Sequence, residues 1–354
     1  MIQLSPSTQA TVVWKLLEEA ELPAWDNFVV AHPQASVYHL SIWRHIVAQA
    51  FGKRCYLLAA LQGKTIRAGL PLVHMHSRLF GNFLVSMPYV NYGGVLTDDD
   101  ALAEPLLQHA IALGQQLGAQ HLELRHLDHR YPQLPTRQDK VSMWLTLPST
   151  ADALFAGFKA KLRSQVRKGE KNNLQISIGA VELLKDFYTV FARNMRDLGT
   201  PVYGKALFRL ILEAFPSSAR IVLVMSATGI PVAGAFLLGY RERLEIPWAS
   251  SLREYNHLQS NMWLYWHCLQ YACAQGYRIF DFGRSTRDES TFKFKEQWGA
   301  QPVPNYWHYH LRTDGPLPGL NPHNPKFRLA IGLWRRLPVP LTRLLGPSIV
   351  KHLP

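Results

Sequence analysis

The segment from residue 281 to residue 299 is the densest group of reactive side-chain types in this 354-residue sequence. It opens with Asp281-Phe282-Gly283-Arg284, and Lys295 follows between Phe294 and Trp298. Asp281 stands at the end of a strand-like run, and polar groups at strand ends in open α/β sheets often line a ligand crevice. A lysine anchored among aromatic rings can stabilise the oxyanion or phosphate charge of acyl transfer. Lys295, Asp281 and Arg284 are therefore candidate catalytic residues, with a surface ion-pair cluster as the alternative.

Two further polar clusters are candidate substrate-binding segments. One surrounds the break Gly199-Thr200-Pro201, which ends a helix predicted over 181–198 and has a solvated helix end as its alternative. The other precedes Gly93-Gly94, where the backbone could approach a ligand closely or simply turn. Phe294 and Trp298 would add aromatic surface near Lys295. The other candidates from these clusters are Tyr203, Arg196, Thr200, Tyr89, Asn91 and Tyr92.

Several function classes lose support because their motifs are missing. The sequence has no phosphate-binding G-x-x-x-x-G-K-[ST], no G-x-G-x-x-G after a strand and no G-x-S-x-G. The pairs His74/His76 and His308/His310 each place two imidazoles on one strand face, but a third ligand at metal-binding spacing is lacking. We therefore expect no metal site. Three cysteines cannot close a disulfide framework, and no signal-peptide pattern is evident, so we expect a cytoplasmic protein.

The net charge of +13 comes mainly from two segments. Residues 159–171 hold six Lys or Arg and one Glu, and residues 312–354 hold seven and one Asp. In the first segment Arg163, Arg167 and Lys171 follow helical spacing and would form one cationic face, either anion-binding or merely solvated. Two local patches favour a particular anionic partner over general nucleic-acid binding.

The tail after residue 312 predicts a short basic amphipathic helix. Asn324-Pro325 can cap and start it, and Phe327, Ile331 and Trp334 would share one face. Such a helix fits peripheral contact with the inner membrane surface, or it docks on the protein itself.

The order of predicted elements occurs twice along the chain. A hairpin (55–61 with 66–74), extended segments over 83–85 and 89–96, a helix over 102–117 and a strand over 121–125 form the first series. The second comprises a hairpin (221–226 with 232–239), a strand over 244–251, a helix over 259–275 and a strand over 278–282, after helices over 151–170, 181–198 and 205–214. We expect a duplicated α/β domain, divided into residues 1–150, 151–312 and a basic Pro-rich tail over 313–354.

Several segments together resemble the FemAB-like proteins associated with PEP-CTERM/exosortase systems. The segments are SVYHLSIWRHIVAQAFG, SMPYVNYGG, LRSQVRKGEKNN, RNMRDLGTPVYGKALF and DFGRSTRDESTFKFKEQWG. The resemblance implies two tandem GNAT-like acyltransferase domains, each with a mixed, mainly antiparallel sheet flanked by helices. It also implies a link to exopolysaccharide biosynthesis and protein sorting.

The resemblance further implies that an acyl or aminoacyl group is transferred to an amine of an envelope or exopolysaccharide precursor, with a lipid-phosphate-linked precursor among the candidates. Characterised Fem enzymes share a D-x-G strand end followed by F-K-x-x-[FW]-G, which here spans Asp281–Gly283 and Phe294–Gly299. Lys295 would lie near the transferred carbonyl, and Tyr203 and Arg196 would line the same channel. No permanently bound cofactor is implied. The GNAT pyrophosphate loop would fall at 253–260, where no glycine occurs, so aminoacyl-tRNA, acyl-CoA and an acyl carrier all stay open as donors. A non-catalytic GNAT-fold protein that binds an anionic glycan or an export-machinery partner is the alternative.

Overall fold

A computed structural model describes residues 11–313, 315–318 and 325–353, so Asn324 of the expected helix cap lies outside the described residues. The chain divides into two compact units. The first comprises residues 1–48, 53–136 and 307–315, and the second comprises 49–52, 137–306 and 316–354. The predicted boundary at residue 150 follows a strand, residues 140–146, that pairs within the sheet of the second unit.

The first unit is built on a mainly antiparallel sheet in the order β1-β2-β3-β4-β6-β15-β7, with β5 beside β3. Only β4 and β6 pair in parallel. Its elements are β1 (Val12–Leu16), α1 (Leu22–Ala31), α2 (Ile42–Phe51), β2 (Arg54–Gln62), β3 (Thr65–Ser77), β4 (Gly81–Val85), β5 (Leu96–Thr97), α3 (Asp100–Gln116), β6 (His121–His126), β7 (Thr136–Arg137) and β15 (Tyr306–Leu311).

The second unit contains a seven-stranded sheet in the order β14-β8-β13-β12-β11-β10-β9, in which β12 and β13 pair in parallel. Its elements are β8 (Lys140–Thr146), α4 (Ala151–Gly157), α5 (Ala160–Lys171), β9 (Gln175–Gly179), α6 (Leu184–Leu198), α7 (Lys205–Ala214), β10 (Ala219–Met225), β11 (Pro231–Tyr240), β12 (Arg243–Ser251), α8 (Ser260–Ala274), β13 (Ile279–Thr286), α9 (Ser290–Glu296), β14 (Gln301–Pro304), α10 (Pro325–Trp334) and α11 (Val339–Val350).

Helices cover both faces of the second sheet because its strands alternate apolar side chains between them. Ala235 and Leu237 of β11 join the core beneath α8, whereas Phe236 between them packs on Phe187 of α6 and on Trp248. In the first unit α3 packs on β2 and β3, and Trp25 of α1 meets Gly69 on the other face of β3. The expected α/β architecture of two sheets flanked by helices is confirmed.

Most predicted elements agree with the structure within a few residues, and α7 agrees at both ends. The extended segment expected over 89–96 is wrong, because only Leu96–Thr97 forms a strand. Met87 and Tyr89 have φ values of 57° and 72°, which a strand excludes. The single helix expected over 151–170 is instead two helices, since the chain is extended at Phe158 and Lys159.

The positions of two strands in the sheets do not follow from their order along the chain. β8 lies between β13 and β14 in the second sheet, and β15, from near the end of the chain, lies between β6 and β7 in the first. Val141, Met143 and Leu145 of β8 are buried in the core of the second unit. Each sheet therefore contains a strand that pairs with strands far from it in the sequence.

A buried histidine pair joins β6 to β15 in the first unit. Nδ1 of His126 lies 3.2 Å from Nδ1 of His308, and both side chains are buried. Nε2 of His126 accepts a hydrogen bond from the Val95 amide. Burial lowers the pKa of His308 to about 4, with His129 and Arg130 also opposing protonation, and it holds the pKa of His126 well below 6.5. The pair is therefore neutral in the folded protein.

Removing β8 is expected to prevent stable folding of the second unit. A fragment of residues 151–312 lacks three buried apolar side chains, each worth about 1.5–3 kcal/mol, which together approach the stability of a typical domain. We expect no cooperative thermal unfolding for this fragment, measured by circular dichroism. A fragment of residues 137–306 retains β8 and is the matched control, expected to unfold cooperatively. Equal cooperativity in both fragments would contradict the assignment of β8.

Acid is expected to destabilise the protein through His308. Between pH 6.5 and about 4 the unfolded chain binds a proton that folded His308 does not, so the free energy of unfolding falls as the pH falls. One such group contributes about 2 kcal/mol between pH 6.5 and pH 5. In His308→Gln the loss of stability between pH 7.5 and pH 5, measured by urea unfolding, should shrink by about that amount. His257→Gln removes an exposed imidazole and should behave as wild type; a slope unchanged in both variants would refute this role.

Candidate active site

The parallel strands β12 and β13 separate at Asp281. Their paired residues run from Arg243 with Ile279 to Glu245 with Asp281 and end there. Asp281 Oδ1 accepts a hydrogen bond of 2.8 Å from the Gly283 amide, and Gly283 has a φ of 74° that favours glycine. The register between β13 and β8 also shifts between Asp281 and Arg284. A local bulge therefore turns the end of β13 away from β12, so the two strands part inside the sheet.

Two buried carboxylates lie at the last paired position of these strands. Glu245 and Asp281 are 4% and 0% exposed. Paired residues on adjacent strands point to the same face, and their apolar neighbours Leu244 and Phe280 occupy the core on the opposite face. Sequence analysis identified Asp281 and missed Glu245. The available signal was an acidic residue inside an otherwise apolar strand, because such a residue is rarely buried without a partner.

Lys295 reaches the end of β13 from the short helix α9. Phe292 and Trp298 anchor this segment in the core. Lys295 Nζ donates hydrogen bonds of 3.0 and 2.9 Å to the carbonyl oxygens of Gly283 and Arg284. Burial lowers the pKa of Lys295 to about 8, while the Asp281 and Glu245 carboxylates act in the opposite direction. An ammonium group is thus held beside two carboxylates at the point where the strands separate.

The other predicted residues near Lys295 differ in exposure. Arg284 is exposed on β13, and its backbone carbonyl accepts one of the Lys295 hydrogen bonds. Trp298 is 1% exposed and packs at 5.4 Å, ring to ring, against Phe158 in the core. Phe294 is half-buried, with its ring 5.0 Å from that of Tyr265. The structure brings Arg284, Lys295 and Asp281 together and gives Trp298 a packing position.

The segment after α6 places Tyr203 over β12. Gly199 ends α6 with a φ of 79°, and the Thr200 amide donates back to the Met195 carbonyl, which closes the helix as the sequence predicts. The Tyr203 ring lies 5.9 Å from that of Trp248, three residues beyond Glu245. Thr200 is exposed. Tyr203 therefore packs on β12, the strand that carries Glu245.

Arg196 and its neighbours on α6 contact other parts of the second unit. Arg196 donates to Asp197 Oδ1 at 2.6 Å and to the Leu337 carbonyl at 3.1 Å, close to the chain's C-terminal helices. Asn194 Nδ2 donates to Ser250 Oγ on β12. The α6 surface is therefore connected to β12 by Asn194 and to the C-terminal segment by Arg196.

The three predicted anion-binding residues lie on α5, as their helical spacing indicates. Arg163 donates to the carbonyls of Ala156 and Phe158, both at 2.9 Å, and so satisfies the end of α4. The Arg167 guanidinium lies 5.4 Å from the centre of the Phe155 ring. Lys171 is exposed at the end of the helix. Arg163 thus has a structural contact, while Arg167 and Lys171 remain on the surface.

Tyr89, Asn91 and Tyr92 lie in the first unit, in the loop that follows β4. Arg125 of β6 donates to the Met87 and Val90 carbonyls of this loop and pairs with Glu123 at 2.7 Å. The Tyr89 hydroxyl contacts the Met75 sulfur, and Tyr92 is buried. One member of each histidine pair has a partner within this unit: His74 contacts the Asn82 side chain at 2.6 Å, and His308 contacts His126. Within the described ranges, no group of three His, Cys, Asp or Glu is placed to hold a metal.

Comparisons with known proteins identify the fold. The family model of the Acetyltransferase (GNAT) domain matches residues 156–296. The crystal structure of FemX aligns with a TM-score of 0.65 at 14% identity, over 83% of this chain and 96% of that chain. A C-terminal domain of a putative lysylphosphatidylglycerol synthetase from Agrobacterium fabrum aligns with a TM-score of 0.56 at 12% identity, over 82% and 91%. A search of the curated proteins finds no match.

A tandem GNAT protein from the clavulanic acid biosynthesis pathway also shares the fold. It aligns with a TM-score of 0.52 at 11% identity, over 86% of this chain and all of that chain. These three structures establish the fold, including the duplication, and the family model adds a sequence match within the second unit. The chain therefore has two tandem GNAT-like domains, and the acetyltransferase match contains Glu245, Asp281 and Lys295.

Proposed function

We propose that this chain is a transferase that forms an amide by moving an acyl or aminoacyl group onto an amine. The observation that carries the proposal is the set of buried ionisable groups at the separation of β12 and β13, inside the segment that matches an acetyltransferase domain. A lysine with a lowered pKa, gathered with buried carboxyl groups at one strand end, is typical of catalytic sites. Neither a metal nor a bound cofactor is required for this chemistry.

In the proposed reaction the acceptor nitrogen attacks the donor carbonyl, forms the C–N bond and loses a proton, while the donor's oxygen or sulfur leaves with its electron pair. Asp281 and Glu245 are the candidate bases for the proton, and substrate assistance by the leaving group is the other route. Lys295 uses two of its three N–H groups on backbone carbonyls. The third would stabilise the oxyanion of the tetrahedral intermediate.

The acceptor that we propose is an amine of a cell-envelope or exopolysaccharide precursor, in a PEP-CTERM/exosortase context. Support comes from the sequence segments that resemble those FemAB-like proteins, including the Asp281–Gly283 strand end and the Phe294–Gly299 motif. A lipid-phosphate-linked precursor would also suit the cationic surfaces of the second unit, where Arg167 and Lys171 are exposed.

The backbone between β12 and α8 favours a donor other than acetyl-CoA. Residues Arg253–Leu258 form a 3₁₀ helix, and Gln259 takes a φ of 60° without being glycine. The amides of Tyr255 and Gln259 donate to the Leu252 and Asn256 carbonyls, so they do not point at a pyrophosphate. Aminoacyl-tRNA or an acyl carrier is the donor class that this arrangement supports.

Substitution of Lys295 tests the proposed site. Lys295→Met retains the length of the side chain and removes its charge, and loss of one such donor typically lowers kcat 10²- to 10³-fold. Transfer is measured by mass spectrometry of the amide product, with aminoacyl-tRNA, acyl-CoA and acyl-carrier donors and amine-bearing precursors. Lys293→Met, which removes an exposed lysine from the same helix, should retain wild-type turnover. Equal turnover in the two folded variants would remove Lys295 from the mechanism.

The pH dependence of the reaction gives a second test of Lys295. Its pKa of about 8 means that the ammonium form is lost as the pH rises through 8. If the charged form stabilises the oxyanion, kcat/KM should fall above about pH 8. In Lys295→Arg the guanidinium stays charged across this range, so any remaining activity should lack the alkaline decline. A decline with the same midpoint in Lys295→Arg would assign it to another group.

The second candidate function is non-catalytic binding of an anionic glycan or of an export-machinery partner. The glycine-free 3₁₀ helix at the position of the donor loop favours this candidate. Thermal shift separates the two. Stabilisation by aminoacyl-tRNA or an acyl donor supports catalysis, whereas stabilisation by lipid-phosphate sugars or glycans alone supports binding without transfer.

A further inference from the structure

The helices α10 and α11 expose a row of leucine side chains. Leu344 is 73% exposed and Leu329 68%. Within each helix the exposed leucines are spaced three or four residues apart, so they share one face. The exposed leucines of these helices are Leu329, Leu333, Leu341, Leu344 and Leu345. Each helix therefore presents an apolar face to solvent, and exposed apolar patches are typical of interaction sites.

The opposite face of each helix is anchored to the second unit. Thr342, Gly346 and Val350 are the buried residues of α11, which packs on α6. Gly346 packs closely on Val202, because a Cβ atom at position 346 would lie only 2.8 Å from the Val202 amide nitrogen. On α10, Ile331 packs against Gly199. The leucines are therefore exposed because their helices are already docked through the other face.

The charge of this segment identifies its partner. Residues 315–354 hold six Lys or Arg and no Asp or Glu. Arg336 and Arg343 are exposed beside the leucines, and Arg343 also covers the Tyr188 ring. A symmetric contact between two copies of this segment would bring cations against cations, which opposes self-association through it. An anionic bilayer offers negative charge for the arginines and an acyl boundary for the leucines.

We propose that the exposed leucine faces of α10 and α11, with Arg336 and Arg343, form a surface that binds anionic lipid bilayers. The helices have 10 and 12 residues and are separated by Pro338. These lengths suit helices that lie in the interface, because a span needs about 20 residues. The proposal does not depend on the proposed function, since a non-catalytic protein would carry the same surface.

Vesicle cosedimentation of the full chain tests the proposal. We expect binding to vesicles of phosphatidylcholine mixed with phosphatidylglycerol, weakened by added salt, and little binding to phosphatidylcholine alone. Leu341→Ser/Leu344→Ser should reduce binding at least tenfold, because two exposed apolar contacts with the bilayer are lost. Arg336→Gln should reduce binding about fivefold, as expected for one cation near the surface.

The controls separate this surface from unspecific effects. Leu79→Ser removes a leucine that is 88% exposed in the first unit and should bind vesicles as wild type does. Thermal unfolding should stay cooperative in all of these variants, because Leu344, Leu79 and Arg336 are exposed and Leu341 is 39% exposed. The proposal is overturned if the wild type does not bind anionic vesicles, or if Leu341→Ser/Leu344→Ser binds as tightly as Leu79→Ser. A concentration-dependent dimer that this double substitution dissociates would assign the surface to a second copy.

Discussion

The hydrogen bonds from Lys295 to the Gly283 and Arg284 carbonyls determine the shape of the candidate site. Two carboxylates, Glu245 and Asp281, are removed from water where β12 and β13 separate, and burying such charges is costly without a partner. The ammonium of Lys295 offsets that cost and also bonds two carbonyls that lie beyond the last residue pair of β12 and β13. The positions of the strand end, α9 and the carboxylates therefore depend on one another.

The first unit also buries a carboxylate at the end of its parallel strand pair, but a different cation lies beside it. Its parallel pair ends at Val85 and Glu123, as the pair in the second unit ends at Glu245 and Asp281. There the cation is Arg125, from the same strand as the carboxylate, and it holds the carbonyls of the loop after β4. Because this guanidinium is bonded to Glu123 and to its own loop, we assign the proposed chemistry to the second unit. The duplicated strand arrangement explains why both units carry a buried acid at this position.

Local signals in the sequence account for the elements that form from neighbouring residues. The hairpins, α7 and the glycine end of α6 follow from alternation, helical spacing and a residue that tolerates positive φ. The positions of β8 and β15 in their sheets have no local signal, because strand pairing between residues far apart depends on the whole fold. The loop after β4 was mistaken for a strand because Met87 and Tyr89 take left-handed conformations without being glycine.

The residues of the candidate site could also be predicted only in part from the sequence. Asp281, Arg284 and Lys295 were found because they cluster within one segment, whereas Glu245 comes from another strand and was missed. The C-terminal segment is also connected to that strand through three-dimensional contacts. Gly346 of α11 packs on Val202, and the ring of the adjacent Tyr203 meets that of Trp248 of β12 edge to face. Adjacent residues of the chain, Val202 and Tyr203, therefore contact α11 on one side and β12 on the other.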